Sequence, residues 1–258
     1  MEVVVAREER PQGGHIARLT IDNAAKLNTL NRLLLEELAA ALEALNHDPA
    51  LRLLIVSGAG TRAFVGGADL NELARLDEAS ARDFITLVHR CCDGCRSLAV
   101  PVIARIDGYA LGAGLELAAS CDLRVASERA VFGMPEVRVG IPSVVEAALL
   151  PRLIGAGRAR RLVLTGETIG AAEALAWGLV DAVVPPERLD AAVEEFAAAI
   201  LAGGPRAMRL QKTLCRDWDE LSASAAIQRG IDALAEAYAS DEPRRMATAR
   251  LAEMRKRR

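Results

Sequence analysis

Asp107-Gly108-Tyr109-Ala110-Leu111-Gly112-Ala113-Gly114-Leu115-Glu116 follows an apolar run, Pro101 to Ile106, and opens a short helical stretch that reaches Cys121. A strand that enters a glycine-rich turn and leaves as a helix is one βα unit, the building block of a wound, mostly parallel sheet. The same turn has chemical potential, because unpaired N–H groups and the positive end of the helix dipole stabilise negative charge. Leu117 stands where the dinucleotide fingerprint requires its third glycine, and no Gly-Lys-Ser/Thr follows for a phosphate loop. An oxyanion hole is the remaining chemical use; a tight turn without chemistry is the bland one.

Working outward, the βα texture recurs. Val3 to Ala6 and Ile16 to Ile21 are β-rich runs on either side of Gly13-Gly14, which predicts a hairpin. Leu30, Leu33, Leu34, Leu38, Ala41, Leu42 and Leu45 keep the helical period, and Leu53 to Val56 reads as a buried strand closed by Gly58 and Gly60. Val65 to Asp69 leads into a helical stretch ending near Ala99, and Leu123 to Ala126 is a further strand. Beyond Val183-Val184 the texture changes at Pro185-Pro186, and Ala-rich helical segments follow, interrupted by Gly203-Gly204-Pro205 and Pro243. The expected fold class is therefore α/β, with a core over residues 1–186 and a helical C-terminal region over 187–258. Ala-rich helices need another surface for their small apolar faces, so that region is expected to serve oligomerisation and capping.

Composition narrows the partners. The 258 residues can bury a large core without a second independent domain, and with 52% hydrophobic but 3% aromatic residues that core must be aliphatic. A net charge of -3 from interspersed acids and bases gives no reason to expect nucleic acid. Met1 to Arg10 has only a short apolar run and carries acids, so no export or transit signal is expected, and no apolar stretch is long enough for a bilayer. Five cysteines in such a chain read as reduced thiols of a cytoplasmic protein. Cys92-Asp93-Gly94-Cys95 lacks a second ligand pair, so no metal is expected; His15, His47 and His89 fall in no nucleophile motif, and Arg255 to Arg258 reads as a solvated tail.

Phe64-Val65-Gly66-Gly67-Ala68-Asp69-Leu70-Asn71-Glu72 is a second glycine-rich helix start, with Asp69 and Glu72 at the spacing of a capping box. Two such turns aimed at one carbonyl oxygen would make a two-donor hole. Two acids lie close by in sequence. Glu116 falls in the first turn of the short helix, where it is either chemical or simply matched to the dipole. Glu136 follows Met134-Pro135 and leaves a strand end or loop, as a catalytic group or a solvent-facing acid.

These segments, with Ile21 to Leu30 before them and Trp177 to Val180 after, resemble the enoyl-CoA hydratase/isomerase (crotonase) family along nearly the whole chain. The resemblance implies a crotonase-like spiral of ββα units and a thioester oxyanion hole at the backbone N–H groups of Ala68 and Ala113. It also implies catalytic glutamates at Glu116 and Glu136. Lys26-Leu27-Asn28 matches the segment at the adenine end of coenzyme A, and Gly67, Asp69, Leu70, Asn71 and Gly112 would contact the substrate. It further implies reversible hydration of a trans-2-enoyl-CoA, by a homotrimer or homohexamer, with no cofactor beyond the coenzyme A of the substrate. The alternatives are an enoyl-CoA isomerase or specialised acyl-CoA lyase of the same family, and, in another class, a non-catalytic acyl-CoA-binding module. The pattern departs from many family hydratases after Gly140, where Ser143-Val144-Val145-Glu146-Ala147 places bulk in a glycine-rich helix start. Glu146 there reads either as an ion-paired or interface acid or as a residue that reshapes the acyl pocket. Ala24-Ala25 replaces the Arg-Pro pair often found before the Lys26 segment.

Overall fold

The computed structural model describes residues 1–256; Arg257 and Arg258 of the basic tail lie outside the described residues. Strands β1 (Glu2–Glu9) and β2 (His15–Asp22) form the expected antiparallel hairpin, and α1 (Arg32–Asn46) and β3 (Leu51–Gly58) follow. Three turns of a spiral come next. They are β3, β4 (Ala63–Val65), α2 (Leu70–Leu73) and α3 (Glu78–Ser97); then β5 (Val102–Ile106), β6 (Tyr109–Leu111) and α4 (Ala113–Ala119); then β7 (Leu123–Ser127) and β8 (Val131–Gly133). Within each turn the first strand joins a six-stranded sheet, ordered β1-β2-β3-β5-β7-β10, and the second joins a four-stranded sheet, ordered β4-β6-β8-β9. Pairing within the spiral is parallel. Helices α5 (Leu150–Ile154), α6 (Ala156–Thr165) and α7 (Ala171–Trp177), with β9 (Thr168–Gly170) and β10 (Ala182–Val184), close the two sheets.

Strand β3 explains the layering. Leu54 and Val56 enter the main core, whereas Leu53 and Ile55 enter a second cluster on the outer face. A period of two sends alternate side chains to opposite faces, so a strand covered on both sides reads as an unbroken apolar run. The outer cluster is covered by α8 (Leu189–Leu201) through Leu189, Val193, Ala197 and Leu201. The first helix after Pro185-Pro186 is thus packed on the core sheet. Beyond it run α9 (Pro205–Glu220), α10 (Ala223–Ala237) and α11 (Glu242–Lys256). Buried Lys212 of α9 ties this region to the core, with its Nζ 2.5 Å from Asp122 and 3.1 Å from the Cys95 carbonyl.

Three local expectations change. Helix α1 begins two residues after Leu30, because Leu30 forms a parallel bridge to Ala68 and Asn31 caps the helix by accepting from the Leu34 N–H at 3.0 Å. Asp69 does start a helix, yet no capping box closes: its N–H donates to the Leu30 carbonyl at 2.8 Å, and its carboxylate accepts from the Asn71 N–H. That helix stops after four residues, and α3 restarts from a true capping box between Asp77 and Ser80. The third change is β6, a three-residue strand inside the glycine-rich turn.

Gly114 determines how the layers meet. A β-carbon there would collide with the carbonyl of Val65, so α4 can rest directly on β4 only because residue 114 is glycine. That seat brings the turn after β4 beside the turn after β6.

Candidate active site

A cavity of about 700 Å³ opens over these two turns. Leu70, Leu73, Leu76, Phe84, Ile85 and Val88 give it apolar lining, and Ala68, Ala113, Glu116 and Glu136 line it as well. Among the described residues, neither the Ala68 N–H nor the Ala113 N–H donates to any acceptor. Each is free for a geometric reason. The bridge to Leu30 uses the Gly67 carbonyl and the Asp69 N–H and skips the amide between them, while Ala113 is the first residue of α4, whose N–H has no intrahelical partner. Gly67 (φ +106°) and Gly112 (φ +51°) hold the backbone in conformations that favour glycine. At Gly112 space is also decisive, since a β-carbon would lie 2.5 Å from Glu136 Oε1.

Glu116 is 3% exposed on the first turn of α4, and its Oε1 accepts from the Ala147 N–H at 3.2 Å. Burial first, and then the neighbouring Glu136 and Glu146 carboxylates, push its pKa up to about 8, partly offset by the Ala147 hydrogen bond. Glu136 opens the one-turn 3-10 helix Glu136–Val139 after β8 and is half-buried; its Oε2 accepts from the Ser143 hydroxyl at 2.7 Å. Both glutamates line the cavity. Glu146 does not. It sits in the 3-10 helix Val145–Leu149, is almost fully buried, and its Oε1 lies 2.6 Å from His89 Nδ1 on α3. Cys92, also on α3, has its thiol pushed well above its ordinary value by burial and by Glu146 and Glu116.

Other sequence-predicted residues divide into two groups. Leu27, Gly67, Leu70 and Gly112 line the cavity; Lys26, Asp69 and Asn71 form a hydrogen-bonded cluster beside it. Lys26 Nζ lies 3.2 Å from Asp69 Oδ2, and Asp69 accepts from the Asn71 amide nitrogens at 2.8 and 3.0 Å. These hydrogen bonds outweigh desolvation and hold the Asp69 carboxyl below its usual range. The Lys26 loop itself is pinned by fully buried Asn28, whose amide donates to the carbonyls of Ala59 and Ala63 at 3.0 and 2.7 Å. Leu27 and Asn28 both adopt positive φ, a strained turn that this anchoring sustains.

Sequence reasoning missed the Ser143 hydroxyl and the Ala147 N–H as partners of the two glutamates, and it gave His89 no part. The departure over Ser143 to Ala147 marked the right segment; the contacts themselves span seven to 57 residues of sequence and leave no local pattern.

Residues 11–258 match the family model described as enoyl-CoA hydratase/isomerase. A crotonyl-CoA hydratase of Syntrophomonas wolfei is 38% identical over 96% of this chain and 94% of its own. A short-chain-enoyl-CoA hydratase of Clostridium acetobutylicum is 35% identical over 92% and 91%. The crystal structure of an enoyl-CoA hydratase from Bacillus anthracis superposes with a TM-score of 0.92 at 32% identity, covering 98% of this chain and 97% of that one. With the spiral of ββα units and the paired glycine-rich turns already described, these likenesses carry one conclusion: the chain belongs to the enoyl-CoA hydratase/isomerase family.

Proposed function

We propose that the protein hydrates a trans-2-enoyl-CoA reversibly to a 3-hydroxyacyl-CoA. The observation that carries this reading is the juxtaposition, in one apolar cavity, of two undonated backbone amides with two glutamates. The Ala68 and Ala113 N–H groups would receive the thioester oxygen. Charge that develops there as C3 is attacked would be stabilised by a few kcal/mol, on the order of what one or two preorganised donors supply. The Leu70 to Val88 wall suits an apolar acyl chain, and Lys26, presented by its strained turn, suits the anionic nucleotide end of coenzyme A.

Hydration adds the water oxygen to C3 and a proton to C2, so the site needs one base and one acid at once. A carboxylate pair that holds a single proton supplies both. Burial of Glu116 beside Glu136 pushes its pKa up to about 8, which favours a proton on Glu116 at neutral pH. In the assignment we favour, Glu136 delivers a proton to C2 while Glu116 positions and activates the water. The shared proton must then sit on Glu136 in the substrate complex, and the water between the carboxylates is its route. Water gives one proton to the pair and C2 takes one from it, so the pair ends each cycle as it began. Both positions being glutamate favours hydration over isomerisation or mere binding.

The C-terminal helices support a further part of the reading. Ile227, Ile231, Leu234 and Tyr238 form an exposed stripe along α10 at helical spacing, and we assign it to contacts between copies in a trimer or dimer of trimers. Light scattering on purified protein should give three or six chain masses; a monomer would contradict the assignment. We place the protein in the cytoplasm, where its five unpaired cysteines would stay reduced. No helix among the described residues is long and apolar enough to cross a membrane.

Purified protein mixed with crotonyl-CoA should bleach the conjugated thioester absorbance, and Glu136→Gln should lower kcat by roughly 100-fold or more while thioester binding persists. A variant as fast as wild type would refute the role given to Glu136; no bleaching with short, long or branched enoyl-CoAs would refute hydration.

Protonation of Glu116 also has a sign that can be measured. The unfolded carboxyl ionises in the usual range and the folded one near pH 8, so between those values the native state binds the extra proton. Stability from this group is therefore greatest at low pH and declines as pH rises towards 8. Glu116→Gln removes that decline. Melting curves should show the variant gaining on wild type between about pH 5 and pH 8, by an amount on the order of a few kcal/mol. A stability difference that stays flat with pH would show that Glu116 is ionised throughout.

A further inference from the structure

Glu146 is a buried carboxylate outside the cavity, and among the described residues its Oε2 has no hydrogen-bond partner. An apolar side chain of similar volume would fold at least as well in such a position, so stability alone gives no reason for an acid there. Its neighbours give one. Glu146 belongs to the Ser143–Ala147 segment, whose two ends hold the two cavity glutamates: the Ser143 hydroxyl donates to Glu136 and the Ala147 N–H donates to Glu116. Between them Val145 has φ +37°, a conformation that a β-branched residue keeps only where its surroundings enforce it. Val145 and Ala147 pack against the core, and a polar contact ties the residue between them to α3. Among the described residues, the hydrogen bond between His89 Nδ1 and Glu146 Oε1 is the one side-chain hydrogen bond joining this segment to α3.

We infer that Glu146 and His89 are a positioning pair, whose hydrogen bond anchors the Ser143–Ala147 segment to α3 and thereby fixes both active-site carboxylates across one water. This rests on the hydratase reading of Glu116 and Glu136. Neither member of the pair touches substrate; each acts through the segment. Sub-ångström placement of acid and base matters because proton transfer and water attack occur together, and misplacement by about 1 Å from a remote change can cost on the order of 100-fold in rate. The His89 side chain is 51% exposed, so truncating it removes the anchor while leaving the core intact.

The test compares wild type, His89→Ala, Glu146→Leu and Glu146→Gln with crotonyl-CoA, measuring kcat, KM and melting temperature. We expect kcat to fall roughly 10- to 100-fold in His89→Ala and Glu146→Leu with KM almost unchanged. Glu146→Gln, which keeps an oxygen acceptor for His89, should retain more of kcat than Glu146→Leu. Glu146→Leu should melt at or above wild type, so that lost rate is separated from lost fold. Full kcat in His89→Ala and Glu146→Leu, with wild type active, would overturn the positioning pair and leave the hydratase reading standing. A lowered melting temperature with unchanged kcat would also overturn it, making the pair merely structural. Should Glu146→Leu fail to fold, His89→Ala decides alone; a wild type that hydrates nothing removes the hydratase reading and this inference together.

Discussion

Gly114 rests against the Val65 carbonyl with no room for a β-carbon, and the geometry of the site follows from that seat. Parallel βα units ordinarily hold their helices off the strands by the thickness of side chains. Here the start of α4 touches the backbone of β4, and Ala113 at the head of α4 and Ala68 after β4 line one cavity. Neither amide is spent on secondary structure. The parallel bridge from Leu30 steps over Ala68, and Ala113 heads a helix. Two unpaired N–H groups are a liability in a closed core, but at a cavity wall they are preorganised donors.

The carboxylates carry the corresponding cost. Glu116 is buried beside two other acids, and burial with those charges pushes its pKa up to about 8; among the described residues no basic side chain hydrogen-bonds it. Lys26 and Lys212 are paired elsewhere, with Asp69 and Asp122. The donors that hold the two glutamates are neutral, the Ser143 hydroxyl and the Ala147 N–H, and they orient each carboxylate without pairing it with a charge. A buried carboxyl with a raised pKa costs stability, and on the proposed function this is where a proton is exchanged.

The parts of this arrangement legible in the sequence were those with a local signature. Leu53 to Val56 announced a doubly covered strand, and glycines at 67, 112 and 114 announced helix starts that backbone approaches closely. Strand β6 was not legible, because three residues between Gly108 and Gly112 are too few to show a period. The break between α2 and α3 was hidden for a related reason: Leu73 and Leu76 continue helical spacing across residues that turn away from the helix. Leu30 fitted the α1 pattern and was drawn instead into the bridge that frees Ala68. In the C-terminal region, uniform Ala-rich composition did not distinguish α8, which covers the core sheet, from α10, which shows an apolar stripe to solvent. Glu116, Glu136 and the turns at Ala68 and Ala113 stood out in the sequence as types and positions and meet at the cavity, while the hydrogen bonds that aim the glutamates arise between distant segments and had no sequence signal.

Isotope incorporation during turnover of crotonyl-CoA tests most directly whether two glutamates on this scaffold add the elements of water across the double bond. With the reaction run in D2O enriched in oxygen-18, the 3-hydroxybutyryl-CoA formed at early times should carry one deuterium at C2 and one heavy oxygen at C3. Deuterium in the acyl chain without heavy oxygen would mean proton transfer alone, as in an isomerase, and the absence of both labels would mean that the cavity binds the thioester without chemistry.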